Sequence, residues 1–143
     1  MRIHSRLLAL ATAALLVTAC GGSDSNAPDN SHVGQYALQS IDGARLPIIV
    51  FEDATTLVTL TEGSATLNAN GTFVQSAKFT LVQNGVPAPP GFATCSGTYR
   101  KNGNTVTFTS PGSVECAAGT ITGTLDGNVL TINDEGSVLV FRR

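Results

Sequence analysis

From Val33 to the end of the chain, apolar and polar positions alternate with a period of two. Val106 and Phe108 alternate with Thr105, Thr107 and Thr109, and Ile121 and Leu125 alternate with Thr120, Thr122 and Thr124. That period puts successive side chains on opposite faces of a strand, so these stretches predict strands with one buried face. No stretch of this region repeats its apolar residues at helical spacing.

Turn residues separate the runs. Ser64 to Ala69 leads into Asn70-Gly71, with Thr72 onward leaving it; Ser96 to Lys101 leads into Asn102-Gly103-Asn104, followed by Thr105 to Ser110. Thr120 to Leu125 leads into Asp126-Gly127-Asn128, followed by Val129 to Asn133, and Asp134-Glu135-Gly136 turns the chain into Ser137 to Arg142. Upstream, Val33 to Ile41 turns at Asp42-Gly43 into Leu46 to Phe51, and Thr55 to Leu60 follows. Asn-Gly and Asp-Gly between alternating runs signal hairpins whose two central residues take positive φ. Eight to ten strands result, depending on whether Glu62-Gly63 is a turn or a bulge. Short consecutive hairpins predict an all-β antiparallel meander, and closing it into a small up-and-down barrel removes its exposed edges. Asn84 to Ala93 carries Pro87, Pro89 and Pro90. Proline cannot donate to a ladder, so this segment reads as a stiff connection, or as a lid or docking loop with Val86 and Phe92 as apolar contacts.

The first residues follow another pattern. Arg2, His4 and Arg6 precede twelve uncharged residues, Leu7 to Thr18, and then Ala19-Cys20. A basic start, a short apolar run and small residues before a cleavage point describe an export signal, and the run falls short of the ~20 residues of a membrane span. Val17-Thr18-Ala19-Cys20 resembles the lipobox of bacterial lipoproteins. The resemblance implies a signal peptide over 1–19, cleavage before Cys20, a diacylglycerol on its sulfur and an acyl chain such as palmitate on its new amino group. Two or more chains attach a protein stably where one binds only marginally. Gly21-Gly22 follows without an adjacent aspartate, which by the same resemblance implies the outer membrane of the cell envelope.

Residues 20–31 then form a lipidated tether, because Gly21 to Ser31 holds no large apolar residue. One domain of 112 residues, 32–143, remains. Cleavage removes Arg2 and Arg6, leaving six Lys and Arg against ten Asp and Glu, a formal net charge of −4. No run of basic residues offers a site for nucleic acid or anionic headgroups, so neither is an expected partner of the domain; the membrane is met through the lipid anchor.

Cys20 also settles the cysteine arithmetic. Of three cysteines, Cys95 and Cys116 remain, and an even pair in an oxidising compartment reads as a disulfide. The strand Thr105 to Ser110 runs between them, and strands two apart lie nearly 10 Å from each other by the usual spacing. The bond is therefore expected to join a loop to a strand at the barrel rim, using the slack of Pro111-Gly112-Ser113. No Cys-x-x-Cys motif or histidine partner supports a metal or redox pair. His32 reads as an exposed linker histidine, Ser96 lies outside a nucleophile elbow, and Glu52-Asp53 lacks a calcium-loop spacing. No catalytic residue, metal site or cofactor is predicted.

With these elements placed, the domain resembles the small lipocalin-like domains of bacterial lipoproteins. The resemblance rests on Gly34-Gln35-Tyr36, Asp42-Gly43…Leu46-Pro47, Cys95-Ser96-Gly97-Thr98-Tyr99, the hairpin Gly123 to Ile132, and Leu139-Val140-Phe141-Arg142. Lipocalins open with Gly-x-Trp and pack a late arginine over that tryptophan; Tyr36 and Arg142 are expected in those places. A second resemblance, through Cys95-Ser96-Gly97 and Cys116, is to lipoprotein domains of the META type. Together these readings imply a non-enzymatic envelope lipoprotein that meets a protein partner or plays a structural role. The alternative is a carrier holding a small apolar ligand in the barrel. In either case Tyr36, Leu38, Phe73, Phe79, Val106, Phe108, Ile121, Leu125, Leu130 and Ile132 are expected to face the interior. Strands of six to eight residues with Phe and Leu inward predict a filled or nearly filled core.

Overall fold

The computed structural model describes residues 29–143; the expected signal peptide, Cys20 and the expected tether up to residue 28 lie outside the described residues. Ten strands follow in order: β1 (Gly34–Ile41), β2 (Ala44–Arg45), β3 (Ile48–Glu52), β4 (Thr56–Leu67), β5 (Thr72–Gln83), β6 (Val86–Asn102), β7 (Thr105–Ser110), β8 (Gly119–Asp126), β9 (Val129–Asp134) and β10 (Ser137–Arg142). All pairings are antiparallel, and β4 to β10 form a continuous meander. β1 closes it by pairing with β10 through Ala37 to Ile41 and with β4 through Gly34 to Ala37. The result is a closed eight-stranded barrel, with β2 and β3 outside the ring and no helix among the described residues.

Turn chemistry separates the two ends. At one end, the mouth, Asp42-Gly43, Asn84-Gly85 and Glu135-Gly136 each have positive φ at both residues, the signature of a type I′ hairpin. At the other end, the base, only the glycine is left-handed. Asn102 pairs with Thr105 and Asp126 with Val129, so Gly103 (φ 58°) and Gly127 (φ 56°) take the first central position, as in type II′ turns. These two expected hairpins form, but their loops are Gly103-Asn104 and Gly127-Asn128 rather than Asn-Gly or Asp-Gly.

Burial follows the alternation. Tyr36, Leu38, Leu67, Phe73, Tyr99, Val106, Phe108, Leu125, Leu130, Ile132 and Phe141 form the core, while Phe79 and Ile121 pack against it partly buried. Phe73 and Phe108 meet edge to face, their centroids 5.2 Å apart. Glu62-Gly63 is not a turn. β4 runs through it with a bulge at Thr61, whose hydroxyl donates to the Lys78 carbonyl.

The largest departure from expectation is Asn84 to Ala93. Only Asn84-Gly85 turns; Val86 to Ala93 is strand, paired with β5 as far as Gln83–Val86. Proline is accommodated because β7 reaches β6 only from Thr98 to Asn102, leaving the earlier part of β6 with one neighbour. Pro89-Pro90 sits in the bulge opposite Thr80.

Candidate functional site

Three regions follow from this architecture: a plugged base, a recessed mouth and a projecting arm. The base is tied by side chains from distant parts of the chain. The Tyr36 hydroxyl donates to the His32 carbonyl at 2.7 Å, and the Tyr99 hydroxyl donates to the Asn68 carbonyl at 2.8 Å. His32 Nε2 lies 3.0 Å from the same Tyr99 oxygen, whose proton is already committed, so the imidazole is assigned as the donor. His32 is thus a part-buried plug residue, edge-on to Tyr99, and not an exposed linker histidine, because the chain before β1 folds under the barrel. Its Nδ1 is buried with no partner among the described residues. Burial raises the pKa of both tyrosines above the ordinary phenol value; the Arg143 charge opposes this at Tyr36, and Tyr36 reinforces it at Tyr99.

The arginine over Tyr36 is Arg143, with its guanidinium carbon 5.5 Å from the ring centroid, and not Arg142 as expected. Strand parity explains the difference. Phe141 points inward and Arg142 outward along β10, so the next residue turns back under the base. Arg143 also donates to the carbonyls of Val33 and Ser31 and to Asn128 Oδ1.

At the mouth the interior is not filled. A recess of about 720 Å³ lies between β6 and the start of β8, with Phe73 and Phe108 as its floor and Ala77, Ala93 and Ile121 on its walls. Small residues leave this space, so the expectation of a filled core holds for the base half only. The disulfide bounds the recess. Cys116, in the loop 111–118, joins Cys95 on β6 with Cα atoms 5.3 Å apart, the loop-to-strand bridge at the rim that the spacing predicts. Ser110 Oγ donates to Cys116 Sγ at 3.2 Å and accepts from the Gly112 amide. Glu115, held in the same loop, accepts the Thr94 amide and covers part of the open flank of β6.

The arm was not foreseen. β4, β5 and β6 continue past the ring, and β3 joins them as a four-stranded sheet in the order β3-β4-β5-β6. Directly paired residues share a face. One face, continuous with the barrel interior, carries the rows Ile48–Leu60–Phe79–Gly91 and Phe51–Val58–Leu81–Ala88. Among the described residues, five of the eight exposed large apolar side chains lie on β3 and the first half of β6: Phe51 and Val86 on this face, Val50 in a bulge, and Ile49 and Phe92 on the opposite face. The signal for the arm was present in the sequence, because the Val86 and Phe92 contacts and the Leu46 to Phe51 run were both visible. Their union was not, since it depends on register across three hairpins. At its tip Asp53 accepts the amides of Thr55 and Thr56, which hold its carboxyl below the usual range.

Among the described residues, no group of three or more His, Cys, Asp and Glu side chains is gathered to hold a metal ion. No protein-family model matches the chain, and a search of curated proteins returned no match.

Proposed function

We propose that this chain is a cell-envelope lipoprotein, anchored through Cys20 to the outer membrane, whose lipocalin-like barrel is a non-enzymatic binding module. The observation that carries the reading is the apolar face of the arm. Soluble domains rarely expose contiguous apolar area without an interaction to cover it. Here Phe51 and Val86 stay half or more exposed beside Val58 and Leu81, while the base beneath is fully packed. A protein partner is the expected occupant. Native mass spectrometry of protein gently extracted from its own membrane tests this. A co-purifying protein that is lost in Phe51→Ser/Val86→Ser, with the disulfide and β-spectrum intact, supports the reading; a partner retained by that variant overturns it.

A second reading has its own observation. The mouth recess of about 720 Å³ lies within the size range of small-molecule sites, and its floor is aromatic. As a carrier, the barrel would hold a small apolar ligand against Phe73, Phe108 and Ile121. A constant extra small mass in the same spectrum, lost in Ile121→Asp, would favour this reading over the first.

A further inference from the structure

We infer that the barrel stands base-down on an anionic lipid surface, with Arg100, Lys101, Arg142 and Arg143 toward the headgroups and the arm pointing away. The inference rests on the Cys20 anchor proposed above and adds an orientation to it.

Two independent observations meet at the base. The first is where the chain leaves the fold. Asp29 to Val33 run beneath the barrel, held by Arg143 on the Ser31 and Val33 carbonyls and by Lys101, 3.6 Å from Asp29. Asp29, the first described residue, therefore lies at this end. Nine residue steps separate Cys20 from Asp29, a reach of about 30 Å. That is enough slack for the barrel to lie on its side, so the tether alone does not orient it.

Charge supplies the orientation: no run of basic residues along the chain marks a headgroup site, but the ends of separate strands gather scattered ones. β6 and β10 both end at the base, and they bring Arg100, Lys101 and Arg142 to the end that Arg143 also occupies. Among the described residues, Asp29 and Asp126 are the acidic side chains there, leaving a side-chain charge of +2. Lys78 and Glu62, paired at 2.8 Å on the wall, cancel. At the mouth and arm, Asp42, Glu52, Asp53, Glu115, Asp134 and Glu135 face a single Arg45, a charge of −5. Arg143 spends its hydrogen bonds on neutral carbonyl and amide oxygens and so keeps its charge. Near an anionic leaflet, basic side chains are drawn in and acidic ones repelled, within about a Debye length. An axially divided barrel on a short tether thus turns its basic end down. The twelve residues of β5, about 36 Å at strand spacing, then carry the arm tip into the aqueous compartment. Its apolar face meets a protein there, not the bilayer that holds the anchor.

The chain has no tryptophan, so one introduced residue is a clean energy-transfer donor. The full chain is expressed in a bacterial host, purified from its membrane and placed in phosphatidylcholine vesicles with or without phosphatidylglycerol, with a dansyl headgroup acceptor. Transfer is compared between Asn104→Trp at a base turn and Gln83→Trp at the arm. Several-fold greater transfer from the base position is expected in the anionic vesicles. The contrast should shrink in high salt and without phosphatidylglycerol, and vanish in R100E/R142E, which takes the base from +2 to −2. Both arginines are exposed and donate no side-chain hydrogen bond among the described residues, so the fold should survive their replacement. Equal transfer from the two positions, or a contrast indifferent to salt and to R100E/R142E, overturns the inference. The mass of Cys20 is read first. An unacylated Cys20 sinks the anchor reading separately, and orientation is then measured with that thiol coupled to a maleimide lipid in the same vesicles.

Discussion

Arg143 covers the ring of Tyr36, and by doing so ties the last residue of the chain to the first strand of the barrel. The contact requires Gly34, whose φ of +143° few side chains adopt and whose added Cβ would come within 3.1 Å of Arg143 Cδ. A glycine, a tyrosine and an arginine at opposite ends of the sequence thus seal the base together.

Arg143→Ala should lower unfolding free energy by about 1–3 kcal/mol, the loss of one cation–π contact and charge-assisted hydrogen bonds at an exposed site. Arg142→Ala should change it by no more than about 0.5 kcal/mol, as is usual for exposed positions. Urea unfolding of the two variants checks the assignment, and a larger effect at Arg142 would reverse it.

Alkaline pH should destabilise the fold through the base. Tyr36 and Tyr99, the two tyrosines of the chain, have folded pKa values raised above 10.0 by burial. Their contribution is complete below the unfolded value and is lost as pH rises through the folded values. Tyrosinate absorbance should therefore lag behind that of free tyrosine and then rise together with loss of β-structure. Independent titration of both rings in an intact fold would contradict this.

Breaking the Cys95–Cys116 bridge should cost about 3 kcal/mol in the chain-entropy description of a loop of this length. Cys95→Ser/Cys116→Ser also frees Glu115 from its position over Thr94, so hydrogen exchange at the Thr94 amide should accelerate beyond the global change. Unchanged exchange there would show that the carboxylate holds its place without the bridge.

Gly97 and Gly91 lie six positions apart on the same strand yet should respond differently to alanine. A Cβ on Gly97 would collide with the Thr109 carbonyl oxygen and approach Phe73 Cε1 to 2.8 Å, whereas one on Gly91 meets nothing within 4 Å. Gly97→Ala should destabilise by about 1–3 kcal/mol and Gly91→Ala should be nearly neutral. Thermal melts of the pair decide it.

How much of this was legible in the residues differs from element to element. β7, β8 and β9 follow directly from alternation and glycine turns, and their inward residues Val106, Phe108, Leu125 and Ile132 are the ones the pattern named. The disulfide followed from the even pair of remaining cysteines, and its rim location from strand spacing. Val86 to Ala93 did not, because proline's veto applies to a strand with two neighbours and β6 has only one there. Arg143 was displaced by one residue from the expected Arg142, since parity at a chain end depends on where the strand stops.

The sequence by itself determined the class of fold, the hairpins and the inward face, because alternation and turn preference act between residues close along the chain. Tertiary structure decided what gathers at each end. Arg100 and Arg142 lie forty-two positions apart and look scattered, yet strand direction delivers both to the base. The same long-range register unites β3 with the ends of β4, β5 and β6 into the arm. Barrel closure converts a sparse, evenly spread set of charges and apolar residues into one basic end and one acidic, partly apolar end.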